Sequence, residues 1–303
     1  MNKLRYFFRE IKNIFEFFLI PFLALFLPQK IYFFLFKKIC RYTFFYGKYS
    51  QNSYANANYL LSTLKIDETT WNTRVKLLYL MDITDLWLAR FRPKKMLKTI
   101  IRSGSWEKSQ GHLLLGLHYG PGYITLLDLK QHELEPYFVF AQAQVPFHYQ
   151  SKVESFYRKI RIKHVNSLSG SMAISTGGGY EKIKKVVKNK GVPIILYDAP
   201  RFENKTNSKA KNTVNFHLTV LQRKYQVASG FINLICQETI PYQLYNVQLD
   251  FETGHKKINI LPLKSTADEK TLLPELSKYM QTLITDSPEQ WFFWRQSPDL
   301  FSR

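Results

Sequence analysis

One histidine in this chain combines the residue type and the setting that acid–base chemistry requires. It stands in the run Gly111-His-Leu-Leu-Leu-Gly-Leu-His118-Tyr-Gly-Pro-Gly-Tyr123. The apolar half of that run predicts a buried strand over 112–117, and the small turn residues after it predict a helix from 123. His118 then lies at the C-terminal end of a strand, where α/β sheets open the crevice that takes ligands. An imidazole titrates near neutrality, so it can take the proton of a hydroxyl that attacks an electrophile. Backbone N–H groups around Gly120 and Gly122, at the start of the following helix, are candidate donors to an oxyanion. The competing reading is a histidine that only caps a strand. Arg158 and Arg161 form a second candidate group, because guanidinium forks match phosphate geometry. They equally suit a solvated face or a helix C-terminus.

The elements that must position these residues are alternating strands and helices. Strands are predicted over 112–117, 136–141, 192–197, 239–245 and 257–261. Helices are predicted over 123–131, 149–160, 180–189, 221–235 and 271–286. That alternation predicts an α/β fold with a mixed, largely parallel sheet flanked by helices. Before it, 46–110 reads as a helical subdomain, with Leu77, Leu78, Met81, Leu86 and Leu88 near helical spacing and a short helix running to 101. The division expected is therefore an anchor over 1–45, a helical subdomain over 46–110 and the α/β domain over 111–303. The polar stretch 201–213 is a candidate lid over the site.

The first 45 residues carry the second signal. Ile14 to Leu27 reads IFEFFLIPFLALFL, a further apolar stretch runs from Ile31 to Phe36, and lysines and arginines bracket both. Neither stretch reaches the ~20 apolar residues a spanning helix needs before a proline or charge intervenes. They predict a helical membrane-anchoring pair lying in the interface, its cations on anionic headgroups, with one tilted spanning helix as the alternative. The formal charge of +20 over 303 residues points to an anionic partner, and 24 phenylalanines turn that choice towards a membrane. No nucleic-acid motif is present. Cys40 and Cys236 read as reduced thiols, and the other histidines show no metal-ligand spacing. The triplet Gly177 to Gly179 lacks the Lys-Ser/Thr of a phosphate loop and reads as an entry to a helix. No cofactor or metal is called for.

Taken in order, these features resemble the lysophospholipid acyltransferase superfamily, in particular the late acyltransferases of lipid A biosynthesis. The basic-flanked anchor comes first and the apolar strand ending at His118 second. Next come Val145-Pro-Phe, the helix with Arg158 and Arg161, and Val192-Pro-Ile-Ile-Leu-Tyr-Asp198. Last is Ser287-Pro-Glu-Gln-Trp-Phe-Phe-Trp-Arg295. The resemblance implies transfer of a fatty acyl group from acyl carrier protein, or from acyl-CoA, to a hydroxyl of a lipid-linked or glycolipid acceptor. It implies a peripheral or monotopic protein on the cytoplasmic face of a bacterial inner membrane, with a basic helix over 182–190 able to dock the acidic carrier. It also singles out Arg158 as the headgroup arginine and brings Arg295 towards the site.

In one place the chain departs from that family, whose motif is His-x4-Asp/Glu. Here the fifth residue after His118 is Tyr123, which accepts a hydrogen bond but brings no charge. Three readings stay open. Asp198, at the end of its own strand, replaces the acid; His118 acts alone; or the chemistry is lost and the protein is a silent lipid-binding scaffold. Asp198 could equally be a turn former beside Pro200.

Overall fold

The computed structural model describes residues 3–42, 44–61, 64–140, 151–169, 174–175, 179–199 and 216–302. The candidate lid over 201–213, the segment 145–147, His148, Gly177 and Gly178 lie outside them. In chain order the elements are α1 (Lys3–Ile14), a π-helical turn (Phe15–Leu19), α2 (Ile20–Phe26), α3 (Gln29–Arg41), α4 (Gly47–Ser50), α5 (Ser53–Leu61), α6 (Glu68–Phe91), α7 (Pro93–Leu97) and β1 (Ile100–Ser103). Then follow β2 (Leu113–Gly116), α8 (Ile124–Gln131), β3 (Pro136–Phe140), α9 (Lys152–Leu168), β4 (Ile174–Ser175), α10 (Tyr180–Lys188) and β5 (Val192–Leu196). The chain closes with β6 (Phe216–Val220), β7 (Arg223–Val227), α11 (Ser229–Cys236), β8 (Tyr242–Leu249), β9 (Lys256–Ile260), α12 (Glu269–Asp286), α13 (Ser297–Leu300) and β10 (Phe301–Ser302).

Among the described residues seven strands form the main sheet in the order β1-β9-β8-β2-β5-β3-β4, and only the β8–β9 pair is antiparallel. This is the mixed, largely parallel sheet expected. β2 sits near its middle, buried on both faces, which is why Leu113 to Leu115 is an unbroken apolar run. One core on one side of the sheet holds α6, α8 and the N-terminal helices; the other holds α11, α12 and β6–β7. α6 is buried along most of its length, and with its apolar residues it encloses the polar Lys76, Thr84 and Asp85. Asp67 caps its start by accepting from the N–H of Thr70 at 2.9 Å.

Three segments differ from expectation, the first being α9, which runs on to Leu168 where a helix over 149–160 was expected, so that Arg158 and Arg161 lie mid-helix. The helix expected over 221–235 is half hairpin: Leu221 and Gln222 both take the left-handed conformation, at φ 53° and 60°, and turn β6 into β7 before α11 begins. Two successive left-handed residues make the tight turn that fits strand twist, without the Asn-Gly that announces it. The helix expected to run to 101 ends at Leu97, because Ile100 to Ser103 pairs in parallel with β9 as the edge strand β1.

The N-terminal helices are packed into the body of the protein. Phe17, Ile20, Tyr32, Phe33 and Phe36 are buried in the first core. Pro21 has no N–H to give the preceding turn. Two carbonyls of that turn instead accept from side chains, Phe17 from Trp87 Nε1 at 2.8 Å and Glu16 from the Tyr46 hydroxyl at 2.7 Å. Among the described residues no helix is long and apolar enough to cross a membrane.

Candidate active site

β2 and β5 are parallel neighbours, so the residues just beyond their C-terminal ends meet. His118 follows β2 and Asp198 follows β5. His118 Nδ1 lies 2.9 Å from Asp198 Oδ1, and the backbone N–H of His118 donates to both carboxylate oxygens at 2.9 and 3.0 Å. Trp291 Nε1 donates to Asp198 Oδ2 at 2.8 Å. The Tyr225 hydroxyl donates to the Asp198 backbone carbonyl at 2.6 Å. The carboxylate is fully buried and ringed by donors, as a charge held away from water must be. It fixes the proton on Nδ1 and leaves Nε2 of the one-third exposed imidazole free to accept another.

The loop after His118 is shaped by Gly120. Its φ is +64°, and a Cβ there would come within 1.9 Å of the Val247 carbonyl oxygen. The C-terminal segment closes over this loop. Tyr119 bridges Trp291 in antiparallel fashion, the N–H of Phe292 donates to the His118 carbonyl at 3.0 Å, and the Phe293 ring lies 4.6 Å from the imidazole.

Beneath His118 is a cavity of about 310 Å³. Leu126, Phe138, Val165, Ile194, Leu196 and Phe292 give it apolar walls, and Gly116 lets the Tyr245 ring lie against β2. One patch of the wall is polar. Arg161 forks onto Asp82 at 2.6 and 3.1 Å and lies 5.3 Å from the Tyr123 ring centre, while the Tyr123 hydroxyl donates to His164 Nδ1. Burial, and then Arg90, hold His164 below the usual histidine range, which suits it to accept. Burial raises the Tyr123 phenol, so it stays protonated.

The expected residues separate on this geometry. His118 and Asp198 come together. Tyr123 reaches the cavity wall, but its hydroxyl is engaged by His164, a residue that no motif or spacing marks out. Arg161 lines the cavity; Arg158 does not. One position beyond the buried Tyr157, Arg158 turns to solvent and pairs with Glu154 at 3.0 Å. Arg295 is also outside the cavity, donating to the Lys48 carbonyl at 3.1 Å. The N–H groups expected to meet an oxyanion are occupied. Gly120 donates to the Gln290 carbonyl and Gly122 to the Gly120 carbonyl, each at 2.9 Å. The N–H groups of Tyr123 and Ile124, at the uncapped first turn of α8, enter no backbone hydrogen bond among the described residues. Asp128, the other buried carboxylate of this loop and helix, is held by Arg102 and by Trp106 Nε1. Among the described residues no cluster of His, Cys, Asp and Glu could hold a metal ion.

No protein-family model matches the chain, and no curated protein sequence matches it. Among solved structures, the crystal structure of the 1-acyl-sn-glycerophosphate (LPA) acyltransferase PlsC from Thermotoga maritima aligns with 87% of this chain and 99% of that chain. The TM-score is 0.38 and the identity 10%, a likeness of broad outline from which no residue role is taken.

Proposed function

We propose that the protein is a membrane-associated O-acyltransferase. It moves a fatty acyl group from an acyl thioester to a hydroxyl of a lipid-linked or glycolipid acceptor. The observation that carries this reading is the His118–Asp198 pair at the head of a largely apolar cavity. A lone hydroxyl is a weak nucleophile at neutral pH and needs a base as it attacks. His118 Nε2 takes the hydroxyl proton while the oxygen attacks the thioester carbonyl. The tetrahedral intermediate collapses, the C–S bond breaks, and the imidazolium returns its proton to the leaving sulfur. Asp198 stabilises the imidazolium formed between those steps. The free N–H groups of Tyr123 and Ile124 are the oxyanion donors in this scheme. The apolar walls take the acyl chain, and Arg161 meets the polar part of a substrate.

The finer assignment is to enzymes of the lipid A late acyltransferase kind, with acyl carrier protein as donor and a lipopolysaccharide precursor or other glycolipid as acceptor. The charge of +20 and the exposed lysines of α10 support an acidic carrier. Exposed Phe7, Phe8, Ile11, Leu19 and Phe26 support an interfacial position at the cytoplasmic face of a bacterial inner membrane. Asp198 fills the orienting role that Tyr123 cannot, which favours a working site over a silent scaffold.

The test uses the purified chain, labelled acyl-carrier-protein thioesters of several chain lengths and detergent-dispersed bacterial lipid. Label should enter lipid as an alkali-labile ester with one preferred chain length, and the mass of the product names the acceptor. Background incorporation at every length would contradict the reading.

A further inference from the structure

The catalytic cavity lies along one side of α9, through Arg161 and Val165. Ile160, Lys159 and Lys163 of the same helix face a separate groove of about 530 Å³ that the reaction leaves unused. Its floor is aromatic: Phe18 and Phe22 from the N-terminal helices, Trp87 and Phe91 from the end of α6, and Phe156 from α9. These rings pack on one another, with centroids 4.8 Å apart for Phe22–Trp87, 5.3 Å for Phe18–Trp87 and 6.1 Å for Phe18–Phe156. Yet Phe91 and Phe156 remain 53% and 58% exposed. Arg90, Lys159 and Lys163 stand on the rim, all exposed, and none pairs with a carboxylate among the described residues.

An open aromatic floor under three unneutralised cations is unfavourable unless something apolar and anionic covers it. The groove is also continuous with the outer face of the N-terminal helices. Phe8, Ile11, Phe15 and Leu19 are exposed at steps of three and four residues; the next step is Phe22, in the floor, and the next is exposed Phe26. A single stripe therefore runs along the surface helices and into the groove.

We propose that this groove seats one anionic phospholipid of a bilayer, its phosphate on Arg90, Lys159 and Lys163 and its first methylenes on the aromatic floor. The proposal rests on the membrane association in the functional reading and adds a lipid site separate from the catalytic cavity. Cations at a membrane surface each favour anionic lipid modestly, and three on one headgroup act together. The apolar stripe commits the groove to lipid rather than to a soluble phosphate compound.

The full chain is floated with vesicles of phosphatidylcholine, and with vesicles in which part of that lipid is replaced by phosphatidylglycerol. The wild type should prefer the anionic vesicles by about 100-fold, from three surface cations. The groove variant Arg90→Gln/Lys159→Gln/Lys163→Gln should lose most of that preference and keep only the share that the remaining surface cations contribute. A variant with the same loss of charge on α10, Lys182→Gln/Lys185→Gln/Lys188→Gln, should keep most of the preference. Glycerol phosphate at millimolar concentration should not displace the wild type. Equal loss in both variants, or most of the preference retained by the groove variant, would overturn the proposal and leave membrane association standing. A wild type that binds neither vesicle would overturn both.

Discussion

Asp198→Asn should lower acyl transfer about 10⁴-fold, the scale seen when the orienting acid of such a pair is made neutral. Among the described residues the carboxylate meets donors alone: the His118 N–H, His118 Nδ1 and Trp291 Nε1. An asparagine must turn its NH₂ towards one of them. Facing His118, it forces Nδ1 to accept, which moves the ring proton to Nε2, the atom that must take the hydroxyl proton. Facing Trp291, it leaves a buried indole N–H opposed to another donor, at a cost of about 1–3 kcal/mol. Single-turnover rates with a thioester at saturating acceptor check this, with thermal unfolding confirming that the variant is folded. A rate within tenfold of wild type would remove Asp198 from the mechanism.

The second large effect is on stability. Asp82 and Asp85 lie one turn apart on α6 and tie down different elements, Asp82 holding Arg161 of α9 and Asp85 holding Lys256 at the start of β9. The Asp85–Lys256 pair is fully buried, and burial pushes the Asp85 carboxyl up to about 6 despite the lysine's opposing pull. Lys256→Met should destabilise the protein by about 3–5 kcal/mol, because it strands a buried carboxylate. The sign with pH follows from the carboxyl. In the variant its folded pKa rises further above the unfolded value of about 3.9. Stability tied to the protonated form is then present below about pH 4 and is lost as pH rises through the folded pKa. The deficit against wild type should be smallest near pH 4 and grow above pH 6. Replacing both residues, as Asp85→Leu/Lys256→Met, should restore most of the loss. Denaturant melts across pH measure all three chains.

The sheet was legible from its strand ends, whereas the His118–Asp198 contact was legible only as one of three readings, because the neighbouring of β2 and β5 is not written in either segment. Two apolar runs that finish on a histidine and an aspartate must bring them together if the strands are parallel neighbours. Arg158 and Arg161 show where that reasoning stops, since three residues on a helix decide between Glu154 in solvent and Asp82 in the cavity. The N–H groups of Gly120 and Gly122 were expected to face an oxyanion, and both are occupied. The N–H of Gly120 is taken by Gln290, a partner 170 positions away that no local pattern announces. The indole N–H of Trp291, which holds the carboxylate, likewise comes from 93 positions away in the chain. The hairpin at Leu221 and Gln222 was hidden because neither residue is one that left-handed turns favour.

In the proposed function His118, oriented by Asp198, is the base for acyl transfer. That role is tested most directly by comparing wild type and His118→Ala side by side, following labelled acyl-carrier-protein thioester into bacterial lipid. Wild type should form ester, and the variant should lose at least about 10²–10⁴-fold, the contribution of a positioned base. Equal incorporation by the two proteins would contradict it.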